Sequence, residues 1–318
     1  MNPSFFYVKI NKKRLKPKGE HMKEIMKNWT IEGIVEENIT QIYRSAWSVG
    51  DDYVLKEYTK AANLHRNIQM FQILGKEGVP VPQVVSLGDG ADYYEENEKY
   101  YLLTTKLKGK NVVEEKNLDE EWFWKFGSVL AKLHLAFRQC EKTLSFWNNS
   151  LLEEMEGWVT EELTKTGEEF LAMEQAREAI GQLGEVYADL PKQLIHRDVY
   201  LGNFLFEEKE FSGYIDFDLS QSNIRIFDIC YFLLGLLLRE GANTVEEEFW
   251  FQAVRLVVDG YESLIPLSEV ERDSIPCVMK NIELLFVAYF SREKDEKLAQ
   301  DAALIFQFVS KNENKIRL

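Results

Sequence analysis

The period of the apolar residues changes at Gly109, and that change constrains the fold more than any other feature of the chain. Before it, residues 31–58 are rich in Ile, Val, Tyr and Trp with breaks at 36–38 and 50–52, which predicts three short strands joined by hairpins. Residues 61–76 then carry Leu64, Ile68, Phe71 and Leu74 at helical spacing, and Gly78, Pro80 and Pro82 mark the stop. A further strand pair, 83–87 and 100–104, encloses an acidic loop at 89–98. The reading is a small antiparallel sheet crossed by one helix. After Gly109 long helical patterns take over, at 119–137, 151–164, 168–188, 245–263, 268–290 and 295–311. Only 203–216 interrupts them as β. A small antiparallel β lobe with one main helix, followed by a larger and mostly α lobe holding one hairpin, is an α+β, bilobal architecture. It divides the chain into a basic N-terminal arm at 1–28, a small lobe at 29–105 and a large lobe at 106–318.

Composition excludes several classes of function. The net charge of -15, from 53 acidic against 38 basic residues, argues against a broad nucleic-acid surface, which needs clustered Lys and Arg. A cationic small molecule is the more natural partner. The three cysteines, Cys140, Cys230 and Cys277, show no paired spacing, so neither a disulfide framework nor a zinc site is expected, and a reducing cytoplasm is the expected location. Residues 1–10 do not read as a secretory signal. The apolar run at 229–238 is about ten residues long against the roughly 20 that span a bilayer, so it reads as a buried helix and no membrane role is expected. The basic stretch 9–27, with Lys12, Lys13, Arg14, Lys16 and Lys18, reads as a solvated arm.

Chemistry concentrates in Ile195-His196-Arg197-Asp198-Val199-Tyr200-Leu201-Gly202-Asn203-Phe204-Leu205-Phe206, followed by Tyr214-Ile215-Asp216-Phe217-Asp218. A hairpin turning at Lys209 and Glu210 sets Phe204 opposite Ile215 and Asn203 opposite Asp216, with Cβ atoms about 4.5–5.5 Å apart. An amide oxygen beside a carboxylate suits a hard cation such as Mg²⁺, which takes few protein ligands and fills its shell with phosphate oxygens. Asp198, on the loop before the hairpin, is placed to accept a hydroxyl proton.

This string resembles the catalytic loop and metal motif of the aminoglycoside phosphotransferase and choline kinase superfamily, protein-kinase-like enzymes that phosphorylate small molecules. His196, Asp198, Asn203 and Asp216 match its pattern. The segments Ser212-Gly213-Tyr214-Ile215-Asp216-Phe217 and Phe227-Asp228-Ile229 are also similar to bacterial homoserine kinases of the superfamily. The resemblance implies that Asp198 is the catalytic base or hydroxyl-orienting group, that Asn203 and Asp216 hold Mg²⁺, and that His196 supports the loop. Lys56, in Tyr53-Val54-Leu55-Lys56-Glu57-Tyr58, resembles the strand lysine that binds the nucleotide phosphates, although a strand lysine by itself reads as an exposed edge residue. Residues 105–107 resemble the hinge, where backbone groups from Thr105 to Leu107 meet adenine. Asp228 reads as a helix cap or a brace for the loop backbone, and His134 as core packing. Asp218 reads equally as a carboxylate steering metal or substrate and as a solvent-facing turn residue.

Two departures from the pattern stand out. The turn Glu36-Glu37-Asn38-Ile39-Thr40, expected to cover the phosphates, has no glycine. Asn67 stands where the superfamily carries the helix glutamate that fixes the strand lysine. Three readings follow: a different register, a different carboxylate, or a slow or inactive enzyme. The expected function is ATP-dependent, Mg²⁺-assisted phosphorylation of a hydroxyl on a metabolite or aminoglycoside-like molecule, with a nucleotide-binding pseudokinase or scaffold as the alternative. The acceptor pocket is expected among the helices after Val245 and the acidic helices at 151–169. Glu153, Glu154 and Glu156, and Glu246 to Glu248, either steer an amine or form solvated faces. Residues 217–228 are too short for a protein-kinase activation loop.

Overall fold

The computed structural model describes residues 19–31, 38–113, 115, 118–166, 169–237 and 245–318. The chain divides into two compact units. The first holds the described residues from 19 to 111 together with 204–218, and the second holds those from 112 to 203 and from 219 to 318. Residues 9–18 of the basic stretch and Glu36 and Glu37 of the expected phosphate turn lie outside the described residues.

The first unit is built on an antiparallel sheet in the order β1-β2-β3-β5-β4, with β1 Ile39–Tyr43, β2 Ala46–Val49, β3 Tyr53–Tyr58, β4 Tyr94–Glu96 and β5 Lys99–Thr105. Alternation along the central strand β3 sends Leu55 to one face and Lys56 and Tyr58 to the other. Leu55 packs with Trp47, Val49, Tyr101 and Leu103 against Met22, Ile25, Met26 and Trp29. Tyr58 and Leu102 pack against Leu64 and Ile68 of the helix Ala61–Lys76. The sheet is therefore covered by two helices rather than one. Gly19–Met26 is a helix, not a solvated arm: Met22, Ile25 and Met26 recur at i, i+3 and i+4 among lysines that disguise the pattern. Trp29 fixes its exit by donating Nε1–H to the Val85 carbonyl at 2.8 Å.

Two strand expectations change. The turn between β1 and β2 falls at Arg44 and Ser45, and Ile39 and Thr40 belong to β1. β5 lies between β3 and β4, and β4 falls inside the expected acidic loop, because Asn97 and Glu98 adopt positive φ and close a tight hairpin; the expected pairing of 83–87 with β5 is confined to residues 83–85, through a bridge from Val84 to Thr104 and the Val85 N–H donating to the Leu103 carbonyl at 2.9 Å. A second hairpin, β7 Phe204–Glu207 with β8 Glu210–Tyr214, joins this unit through reciprocal 2.9 Å hydrogen bonds between Lys110 and Phe206.

The second unit is mainly helical, and its residues 192–195 and 221–224 pair as strands β6 and β9, which the sequence reading missed. Glu120–Cys140 packs on Glu247–Glu262 through Gly127 and Gly260; a Cβ on either would overlap a backbone carbonyl of the facing helix. Asp119 caps the first of these helices, and a Ser268–Glu271 capping box starts the buried helix Glu269–Glu293. Ile226–Leu237 is apolar on nearly every face and buried, as expected. Among the described residues, no helix is long and apolar enough to cross a membrane.

Candidate active site

In the second unit, the antiparallel pairing of Ile195 with Gln221 fixes the point where β6 ends and the loop 196–203 begins. The loop is then held by Asp228, fully buried in the first turn of the helix Ile226–Leu237. Its carboxylate accepts the backbone N–H of His196 at 2.7 Å and of Arg197 at 2.9 Å, and lies 3.1 Å from His134 Nε2. His134 Nδ1 is in turn hydrogen-bonded to the Tyr261 hydroxyl at 2.8 Å. His134 is thus a buried relay behind the brace as well as core packing.

Arg197 occupies the left-handed region, with φ 72°, a conformation that costs a non-glycine residue about 1–3 kcal/mol and persists only where its surroundings impose it. Here its guanidinium donates to Glu154 at 2.8 Å and stacks over Phe227 at 4.3 Å. Glu154 is therefore buried loop support rather than part of a solvated or substrate-steering acidic face, whereas Glu153 and Glu156 are exposed.

The chain reversal at Arg197 presents Asp198, itself 1% exposed. Each of its carboxylate oxygens accepts a hydrogen bond: Oδ1 from the Tyr231 hydroxyl at 3.0 Å and Oδ2 from Asn203 Nδ2, also at 3.0 Å. Asn203 Nδ2 also donates to the Asp198 carbonyl at 2.8 Å, closing the loop on itself. Burial, and then the Asp198 charge, push the Tyr231 phenol well above its ordinary pKa, so it stays a donor. Tyr231 escaped the sequence reading; its signal was the i, i+3 spacing from Asp228, which puts both residues on the face of one helix.

In the first unit, the β7–β8 hairpin turns one residue earlier than expected, at Glu208 and Lys209, because Glu208 takes a left-handed φ of 56°. A bulge between Leu205 and Phe206 follows, and Phe204 pairs with Tyr214, not with Ile215. Asp216 also has a left-handed φ, 68°. The buried Phe217 ring packs edge-on against Phe71 of the helix Ala61–Lys76, with centroids 5.8 Å apart.

That turn carries two carboxylates to Lys56, whose Nζ lies 3.1 Å from Asp216 Oδ1 and 2.6 Å from Asp218 Oδ2. Burial alone would push the Lys56 ammonium down, but Asp216 and Asp218 hold it well above its ordinary value. Asn67 does not touch the lysine as a substitute glutamate: its Nδ2 donates to Asp218 Oδ1 at 2.7 Å and to the Tyr58 hydroxyl at 3.2 Å. Of the three readings of that departure, the structure bears out the second: a different carboxylate holds the lysine.

The hinge segment is less open than the sequence implied. Thr105 donates its N–H to the Gln83 carbonyl at 2.8 Å, and its hydroxyl accepts the Gln83 N–H at 3.0 Å, so both groups are used within the sheet. The Leu107 side chain fills the space a Cβ would need at Gly213, where φ is 156°.

Among the described residues no three His, Cys, Asp or Glu side chains are grouped to hold a metal. A lone carboxylate such as that of Asp216 is the kind of oxygen ligand that suits instead a hard cation, which keeps most of its shell for substrate and water. The Lys56 ammonium on Asp216 marks that carboxylate as a place built to face positive charge.

Curated relatives include a homoserine kinase of Gluconobacter oxydans, 25% identical over 244 residues and covering 74% of each chain, and one of Brucella ovis, 26% identical over 255 residues and covering 74% of this chain and 71% of that one. Among solved structures, amicoumacin kinase hAmiN in complex with AMP-PNP, Ca²⁺ and Ami superposes with a TM-score of 0.69 at 17% identity over 94% of both chains. The GDP complex of wild-type aminoglycoside 2'-phosphotransferase-IIIa gives 0.66 at 16% identity, over 93% of this chain and 99% of that one. These likenesses establish the expected α+β, protein-kinase-like fold. The sequence model of the phosphotransferase enzyme family matches residues 30–266, which span both the Lys56 cluster and the Asp198 loop, and the chain belongs to that family.

Proposed function

We propose that this protein transfers the γ-phosphoryl group of ATP to a hydroxyl of a small, amine-bearing molecule. The observation that carries the reading is the Lys56 cluster: the ammonium is held by Asp216 and Asp218, so the missing helix glutamate does not leave the nucleotide lysine unsupported.

In this mechanism Lys56 binds the nucleotide phosphates, and the hinge backbone at Leu107, beyond the Thr105 and Lys106 amides already bonded to Gln83 and Asp52, takes the adenine. Asp198 accepts a hydrogen bond from the acceptor hydroxyl, turns its oxygen toward the phosphorus, and takes its proton as the new bond forms. Tyr231 and Asn203 keep the Asp198 carboxylate in one rotamer, so the orienting entropy is lost on folding rather than during the reaction. Asn203 and Asp216 would ligate Mg²⁺, which supplies charge neutralisation on the phosphates. The transferring group asks for little covalent work from the protein, and positioning carries the rate.

The acceptor class is argued from charge and from the relatives. The net charge of -15 draws cations. The relatives' names specify homoserine, and the structural neighbours' names specify amicoumacin and aminoglycosides. Homoserine and the aminoglycosides each join hydroxyl to amino groups. The test is Mg²⁺-dependent ADP release over a panel of amino alcohols, homoserine and aminoglycosides, comparing wild type with Asp198→Ala. Acceptor-dependent turnover that the variant loses supports the proposal; ATP binding with no turnover on any acceptor leaves the pseudokinase reading.

A further inference from the structure

We infer that Asp218, oriented by Asn67, is the positioning residue that holds Lys56 for the nucleotide, so that the lysine anchor sits on the Asp216–Asp218 segment and not on the helix Ala61–Lys76. The inference deepens the phosphotransferase reading above and rests on it.

The two oxygens of Asp218 have separate tasks. Oδ2 meets Lys56 at 2.6 Å, the shorter of the lysine's two carboxylate contacts, and Oδ1 accepts from Asn67 at 2.7 Å. The Asn67 amide is 1% exposed, and its nitrogen donates both to Asp218 and to Tyr58. Burial raises the Tyr58 phenol well above its ordinary pKa, which keeps it neutral beside the cluster. A glutamate at 67 would instead meet the Asp218 carboxylate as a like charge. Asn67 and Asp218 are therefore a matched pair, and the residue that looks like a loss in the helix is the complement of a carboxylate gained elsewhere.

Two further contacts from the same helix hold the segment around Asp218, and Lys56 meets it from the strand. Phe217 is buried against Phe71, the Arg66 guanidinium donates to the Asp218 carbonyl at 3.4 Å, and Lys56 itself projects from the central strand β3. The helix thus acts on Lys56 through the Asp216–Asp218 segment. One consequence concerns Asp216. With Asp218 present, the lysine charge is shared between two carboxylates; without it, Lys56 falls wholly to Asp216, the proposed cation ligand, and competes with the cation.

The test uses the full-length protein and a fluorescent ATP analogue titrated with and without Mg²⁺, with thermal melting as a check on folding. Asp218→Asn should weaken Mg²⁺-nucleotide binding by about tenfold, the size of losing one partly buried ionic contact, and raise the Mg²⁺ concentration needed for half-saturation. Asn67→Glu alone should also weaken binding. The double variant Asn67→Glu/Asp218→Asn restores one carboxylate and one amide in exchanged places, and should recover affinity to within about threefold of wild type. A residue with only a structural role would give additive losses in the double variant. If Asp218→Asn does not fold, Asn67→Ala keeps the charge and removes its orienting amide, and should cost about threefold in affinity.

Asp218→Asn binding as tightly as wild type, or a double variant no better than the single one, overturns the inference. If wild type binds no nucleotide at all, the phosphotransferase reading fails first. The inference is then judged on amine labelling of Lys56 in the nucleotide-free protein, followed by mass spectrometry. Asp218→Asn should change the Lys56 labelling rate severalfold, and an unchanged rate overturns the inference independently of function.

Discussion

Replacing Tyr231 with Phe removes one oxygen and should separate what orients Asp198 from what merely surrounds it. The hydroxyl donates to Asp198 Oδ1 at 3.0 Å, between two residues that are 5% and 1% exposed, so bulk water does not replace it. A hydrogen bond to a charged group contributes about 1.5–3 kcal/mol. Asn203 still donates to Oδ2 at 3.0 Å, which keeps the carboxylate partly satisfied and places the cost toward the lower end, about 1.5–2 kcal/mol. If the whole of it is lost from orientation of the reacting hydroxyl, kcat falls by about 10–30-fold, at 1.36 kcal/mol per decade, while KM for the nucleotide is unchanged. Urea unfolding should show a similar loss of stability, and a double-mutant cycle identifies its source. In an Asp198→Ala background no carboxylate is left to satisfy, and Tyr231→Phe should cost less than about 0.5 kcal/mol. Equal cost in both backgrounds would refute the reasoning, as would a raised nucleotide KM with kcat intact.

Three other expectations can be checked by unfolding experiments. Asp228→Ala leaves the His196 and Arg197 amides buried without their acceptor; at about 1–3 kcal/mol each, stability should fall by about 2–6 kcal/mol, and a loss under 1 kcal/mol in chemical denaturation would contradict the brace. Gly260→Ala drives a methyl into the Trp124 carbonyl and should cost about 3 kcal/mol or more, whereas Gly181→Ala, mid-helix with open space around it, should add about 0.5–1 kcal/mol; both are read from Tm. Burial pushes the Cys277 thiol up to about 11 from an ordinary 9. The unfolded chain then loses its proton first as pH rises, so this contribution to stability is whole below about pH 9 and is lost by about pH 11. Cys277→Ser should flatten the fall in Tm over that window, measured against wild type.

The sequence was legible where one local pattern decided the outcome. Leu64, Ile68 and Leu74 place a helix at 61–76 by spacing alone, and the string from His196 to Asp218 contains Asp198, Asn203, Asp216 and Asp218, whose side chains the structure shows held by specific partners. It misled where two patterns shared the same residues. Met22, Ile25 and Met26 form an apolar stripe, but their lysine neighbours made the stretch read as a solvated arm; only contact with Trp47 and Val49 shows which signal wins. The β7–β8 register depended on whether Glu208 could adopt a left-handed turn, a choice worth little locally and settled by the pairing of Lys110 with Phe206. Asn67 is the most instructive case. Judged by its own position it is a missing charge, because a residue's role was inherited from spacing within one helix. The carboxylate that answers it lies 151 residues away, beyond a left-handed Asp216, and distance along the chain hides such an exchange. In a site assembled from separate segments, a residue that breaks a motif is best interpreted by asking which other segment makes the contact it lacks, as Asp218 does here for Lys56.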